Sequence, residues 1–130
     1  MKHIIFIALG GSFGAVSRYL VSKKLQFLAN QILPVGTLAV NASGAFLIGF
    51  MFYLFDDVLI ARDFRSFAMI GFLGAYTTFS TYALETINLL KDGEIKLCIT
   101  NMFLNNFLSL GMIILGMLTY RILIKIMRLS

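Results

Sequence analysis

Apolar residues fill long stretches of this chain, and polar residues gather between them. Four runs stand out, at about 4–21, 35–55, 67–90 and 97–120. Each approaches the roughly 20 residues that a helix needs to cross a bilayer. The pattern predicts an all-α membrane protein: one domain over 1–130 with four transmembrane helices and short loops. The first run is short, holds Gly10, Gly11 and Gly14, and carries Arg18 near its end. Lys2 and His3 ahead of an apolar run also fit a secretion signal. No convincing small-residue cleavage site follows, and three more runs do, so it is read as a span. Pro34 suits the first turn of the second helix. Arg121, Lys125 and Arg128 continue the fourth helix as an amphipathic tail beyond the membrane. Gly10/Gly14, Gly11/Ala15, Ala39/Ser43 and Ala45/Gly49 are small pairs four apart, which let helix backbones approach closely in lipid.

The third run breaks the pattern. Residues 70–85 hold six hydroxyl side chains, two glycines and a carboxylate within a membrane-length segment. Polar groups at that depth face protein or an aqueous path. Glycine and threonine also permit a helix break, tolerated where protein or a cavity covers the freed backbone. The stretch is therefore read as the lining of a conduction path, with helix 3 broken around Gly74–Thr77.

Composition agrees. The chain is 59% hydrophobic and 13% charged, where a soluble domain is about a quarter charged. The net charge of +5 does not indicate nucleic acid, because the basic residues sit at span ends, where headgroups and topology account for them. Lys2, Arg62, Arg65, Arg121, Lys125 and Arg128 fall with the termini; Arg18, Lys23, Lys24, Lys91 and Lys96 fall opposite. Six against five leaves almost no orientation bias. Either another feature sets the orientation, or the chain inserts both ways and pairs with itself antiparallel. Cys98 is alone, so no intrachain disulfide forms, and it reads as packing. One His, one Cys and no usefully spaced acid–base pair leave nothing for a catalytic site, so the chain is not read as an enzyme.

Three segments carry a resemblance. Residues 10–19, GGSFGAVSRY, resemble a GGxxGAxxRY signature. Residues 36–44, GTLAVNASG, resemble GTLxVNxxG. Residues 71–82, GFLGAYTTFSTY, resemble GFxGGxTTFSTF. Their order, spacing and the four-span length are similar to the Fluc (CrcB-type) fluoride channels. The resemblance implies a passive, fluoride-selective channel that exports fluoride through a bacterial inner membrane. It further implies an antiparallel dual-topology dimer with two pores and a structural sodium ion at the dimer interface. By the same resemblance, Phe79 and Tyr82 are the pore aromatics and Asn41 the pore asparagine. The backbone carbonyls of Gly74 and Thr77 are the sodium ligands, and Glu85 lies in a vestibule.

The residues fit that chemistry in their own right. A pore must replace fluoride's water with donors, and Asn41 carries an amide while Ser and Thr carry rotatable hydroxyls. Phe79 and Tyr82 are three apart on one helical face, and ring edges are positive. Such edges attract an anion without trapping it, as conduction requires. Two aromatics at that spacing are also ordinary core. Thr81 lies beside the stripe and adds a hydroxyl. Asn101, Asn105 and Ser109 form a polar face on span four, of which Asn105 is taken as a pore residue. Arg18 either collects anions in a vestibule or snorkels to the interface. Glu85 sits in the vestibule or pairs with a cation.

Tyr82 stands where the family usually has Phe, and Ala75 where Gly is usual. These departures keep open a heterodimer with a paralogous subunit. A small multidrug transporter, also four-span, needs an intramembrane carboxylate; span one has none, and Glu85 is the one candidate. A non-transporting helper subunit is the third alternative.

Overall fold

The computed structural model describes residues 2–58 and 60–129, and the described chain is helical throughout apart from short connections. Helix α1 spans Lys2–Ala29 and α2 spans Val35–Asp57. The next apolar run is composite: α3 (Arg62–Arg65), a wide π-helical stretch (Ser66–Leu73) and α4 (Gly74–Tyr76), then α5 (Phe79–Lys91). The last run comprises α6 (Ile95–Phe103), a second π-helical stretch (Leu104–Leu108) and α7 (Ser109–Leu129). Among the described residues, three helical segments, Lys2–Ala29, Val35–Asp57 and Ile95–Arg128, are long and apolar enough to cross a membrane.

Helix α1 runs on to Ala29, well beyond the expected end near residue 21. Lys23, Lys24 and Gln26 are good helix formers, so the loss of apolar character there marks the membrane edge and not the helix end. The helix stops at Asn30, whose φ of 46° lies in the left-handed region that asparagine tolerates. Gln26 then fixes the connection. Its Nε2 donates to the carbonyls of Gln31 (2.7 Å) and Leu33 (3.2 Å), and its Oε1 accepts from Gly36 N–H (3.0 Å). That last bond satisfies an N-terminal donor of α2, which Pro34 cannot cap with a side chain. Just past the end of α5, Gly93 takes a φ of 79°. Gly93 N–H donates to Leu90 O (3.2 Å) and Glu94 N–H to Leu89 O (2.9 Å), the Schellman pattern.

Packing rests on bare backbone. Helix α2 lies mainly against α7, and α1 against the first π-helical stretch. A Cβ on Gly10 or Gly14 would collide with the carbonyls of Phe67 and Phe72. A Cβ on Gly49 would collide with the Ile113 carbonyl, and one on Gly116 with that of Phe46. The small pairs Gly10/Gly14 and Ala45/Gly49 thus each place a glycine at a close helix crossing. Cys98 is buried on α6.

Candidate functional site

The third apolar run is interrupted at Thr77 (φ −84°, ψ 154°) and Thr78 (φ −149°, ψ 121°), both extended. Gly74, expected to open the break, keeps helical angles (φ −62°, ψ −33°). The break begins later because of what Asn41 does. Thr77 N–H still donates to Leu73 O (3.1 Å). Thr78 N–H leaves the ladder and donates to Asn41 Oδ1 (2.8 Å), while Asn41 Nδ2 donates to Thr78 O (3.1 Å). One amide side chain therefore satisfies both backbone groups of Thr78, which removes the main penalty for opening a helix in lipid. Thr78 Oγ1 caps α5 by accepting from Thr81 N–H (3.2 Å). Gly44 lets α2 approach, since a Cβ there would meet Thr77 Cγ2.

Asn41 is in turn held by a line of amides. Its Nδ2 donates to Asn105 Oδ1 (2.9 Å). Asn105 donates to Asn101 Oδ1 (2.8 Å), and Asn101 to Thr86 Oγ1 (2.8 Å). Thr86 donates to Tyr82 O (2.8 Å). Asn101 is fully buried and Asn105 nearly so, yet each is satisfied. The second π-helical stretch makes this possible. Its wider turn sends Asn105 toward Asn41 while the adjacent Asn106 donates to Tyr82 Oη (3.0 Å).

These groups border a groove of about 340 Å³. Asn41, Gly74, Thr77, Phe79, Tyr82 and Asn105 all line it. The Phe79 and Tyr82 rings meet edge-to-face, with centroids 5.3 Å apart and planes at 70°. Tyr82 is buried, at 7% exposure, whereas Phe79 is 75% exposed and lacks cover from its own chain. Both hydrogens of the Asn41 amide are engaged within the chain. The donors left for a guest are therefore hydroxyls. Tyr82 Oη accepts from Asn106 and keeps its own proton, and the shielded Ser109 Oγ has no hydrogen-bond partner.

Thr81, Arg18 and Glu85 lie outside this groove. Thr81 and Glu85 line a neighbouring hollow of about 360 Å³ with Lys23 and Thr37. Glu85 Oε1 accepts from Thr37 Oγ1 (2.7 Å), and its shielded Oε2 has no partner. Arg18 is part-buried and reaches the break, its Nη1 donating to Thr77 O (3.4 Å). It is not among the residues that line that hollow. Among the described residues, no three His, Cys, Asp or Glu side chains gather to hold a metal. Sequence reasoning did not single out Thr78, Thr37 or Ser109 as site residues. Thr78 had a signal, as a threonine immediately preceding a helical run. Ser109 had one in its spacing from Asn101 and Asn105.

Fold and site together define a small multi-pass membrane protein with a polar groove at a broken helix, in the manner of an inner-membrane channel. Residues 5–117 match the family described as CrcB-like protein, Camphor Resistance (CrcB). Similar proteins include the fluoride-specific ion channel FluC of Magnetococcus marinus, 38% identical over 121 residues, covering 92% of this chain and 98% of the relative. That of Sulfurovum sp. is 40% identical over 118 residues, covering 91% and 93%. That of Shewanella baltica is 42% identical over 116 residues, covering 89% and 94%. The chain belongs to the CrcB/FluC fluoride channel family, whose members are channels and not enzymes.

Proposed function

We propose that this chain forms a passive, fluoride-selective channel that exports fluoride from the cytoplasm through the bacterial inner membrane. The observation that carries the reading is the groove at the break, where the Phe79–Tyr82 edge pair adjoins hydroxyls with unused hydrogen-bonding capacity. An anion stripped of water there meets ring edges and O–H donors, and among the described residues no Lys, Arg or His side chain lines the groove to trap it, as conduction needs. Thr81 and Glu85 belong to the vestibule beside it, and Arg18 steadies the break between them. Asn41 and Asn105 shape the groove more than they solvate the ion, because their amides hold Thr78 and each other.

The exposed Phe79 ring calls for a second chain. An antiparallel dimer would cover it and complete the groove with another protomer's wall. The sodium site belongs at the same junction. Asn41 frees the Gly74 carbonyl from the helical ladder, and Gly74 is exposed. The Thr77 carbonyl takes one long bond from Arg18 and keeps a second lone pair. Carbonyls of this kind suit a hard monovalent cation, as half-helix ends do in transporters. The carbonyls of Gly74 and Thr77 would hold such an ion, which would supply positive charge to offset their partial negative charge.

Liposomes reconstituted with this chain alone test the proposal. A fluoride electrode follows release after valinomycin sets the potential, with chloride as the control. Fast fluoride efflux without chloride efflux is expected. A monodisperse dimer that releases no fluoride would overturn the self-sufficient channel and leave the paralogous heterodimer, in which Tyr82 and Asn106 serve only one of two unequal pores.

A further inference from the structure

The basic tail of α7 lies apart from the groove. Arg121, Lys125 and Arg128 recur at helical spacing on one face. With Tyr53 and Asp57 at the end of α2, and Tyr120, they enclose a pocket of about 460 Å³. We propose that this pocket holds the phosphodiester headgroup of an anionic phospholipid.

Depth comes first. The uninterrupted segment Ile95–Arg128 has 34 residues, and about 20 suffice to span. The apolar run of α2 closes with Asp56 and Asp57. Both helices therefore carry the pocket to the headgroup layer. Basic pockets between helix ends are a recurrent form of anionic-lipid recognition.

Charge comes next. Three cations face one carboxylate, Asp57, which leaves an excess of two positive charges in the pocket. Asp56, next along α2, is drawn to Arg65 (3.7 Å) instead. Among the described residues, none of the three cations has an ion pair within 4.0 Å. One phosphodiester of phosphatidylglycerol, or the two of cardiolipin, meets this excess.

The site is also built. Arg121 Nη2 donates to Tyr53 Oη (2.8 Å), and its guanidinium lies over the Tyr53 ring, 4.6 Å from the centroid. That fixes the guanidinium and leaves its other N–H donors for a phosphate. The Tyr53 and Tyr120 rings stack at 6.4 Å and wall the pocket. Tyr120 is 2% exposed, and its shielded hydroxyl has no hydrogen-bond partner. The Asp57 carboxylate stands beside that hydroxyl at the margin of a hydrogen bond, and a headgroup oxygen would offer it an alternative acceptor. Below the cations on the same face, Leu118 and Ile114 are exposed and offer acyl chains a path toward the bilayer core. That apolar continuation favours a lipid over a soluble phosphate.

Native mass spectrometry of the detergent-purified protein reads the site directly. Phosphatidylglycerol, cardiolipin or phosphatidylcholine is titrated onto wild type, Lys125→Gln/Arg128→Gln and Tyr120→Phe. The control, Lys2→Gln/Arg62→Gln, removes the same charge from the same end of the molecule. Each cation near anionic lipid contributes about a fivefold gain in affinity, so the Lys125/Arg128 double variant should weaken phosphatidylglycerol retention on the order of thirtyfold. The control should retain it, and Tyr120→Phe, which removes no charge, should weaken it severalfold. Equal retention of phosphatidylcholine, equal loss in the control, or an unaltered double variant would each overturn the site. Displacement of bound lipid by millimolar inorganic phosphate would overturn the lipid as its occupant. Should the double variant not purify, Lys125→Gln alone carries the test, with about a fivefold loss expected.

Discussion

At the scale of single residues, hydrogen-bond bookkeeping separates groups that hold the groove from groups that are free to serve it. Asn41 satisfies both backbone groups of Thr78 and anchors to Asn105. Asn41→Ala should strand the Thr78 N–H and lower stability by about 1–3 kcal/mol, read as earlier thermal unfolding in detergent. Ser109 is the converse case. Its hydroxyl has no partner to lose, so Ser109→Ala should leave stability within about 0.5 kcal/mol while slowing fluoride efflux. Loss of stability without loss of flux would remove Ser109 from the pore. In the proposed pore Phe79 supplies a ring edge, and at 75% exposure it is not core of its own chain. Phe79→Ile should reduce fluoride efflux to that of empty liposomes with the protein still folded; wild-type flux there would end the aromatic-edge mechanism. The sequence made Asn41, Phe79 and Tyr82 legible through motif and spacing. That Asn41 spends its amide on the backbone was not legible, because its partners are 37 and 64 residues away.

At the scale of elements, most helices were visible as apolar runs, and the errors share a cause. Hydropathy reports where lipid ends, whereas hydrogen bonding decides where a helix ends. Helix α1 continues through Lys23 and Lys24 until Asn30 turns it. The break in the third run falls at Thr77 and Thr78, at the far end of the expected Gly74–Thr77 range, since the Asn41 amide binds Thr78 while Gly74 stays helical. The π-helical stretches have no signature in the pattern. The first lies where Gly71 and Gly10 bring two backbones together, so its wider turn depends on a partner helix. Glycine crossings of that kind give the element-scale prediction. Gly49 faces the Ile113 carbonyl so closely that a Cβ requires α2 and α7 to part. Gly49→Ala should therefore destabilise by about 1–3 kcal/mol, although alanine is the better helix former. A variant as stable as wild type would show that this crossing yields freely.

At the scale of the whole molecule, charge placement and exposed surface make the proposed pairing testable. With α1 extended to Ala29, Lys23 and Lys24 stand on the helix end remote from the termini, as do Lys91 and Lys96 around the α5–α6 turn. Six basic residues against five give the insertion machinery almost no preference. The chain should then insert both ways, with a carboxy-terminal tag open to impermeant label from each face in about half the molecules. Two variants turn this into a functional test. Lys23→Gln/Lys24→Gln makes the count six against three, and Arg62→Gln/Arg65→Gln/Gln31→Lys makes it four against six. Neither alone should produce antiparallel partners, so each alone should confer little fluoride efflux. Expressed together they supply opposite orientations, and efflux should return. Full efflux from either variant by itself would mean that orientation is set by something other than these charges, or that the working unit is not antiparallel.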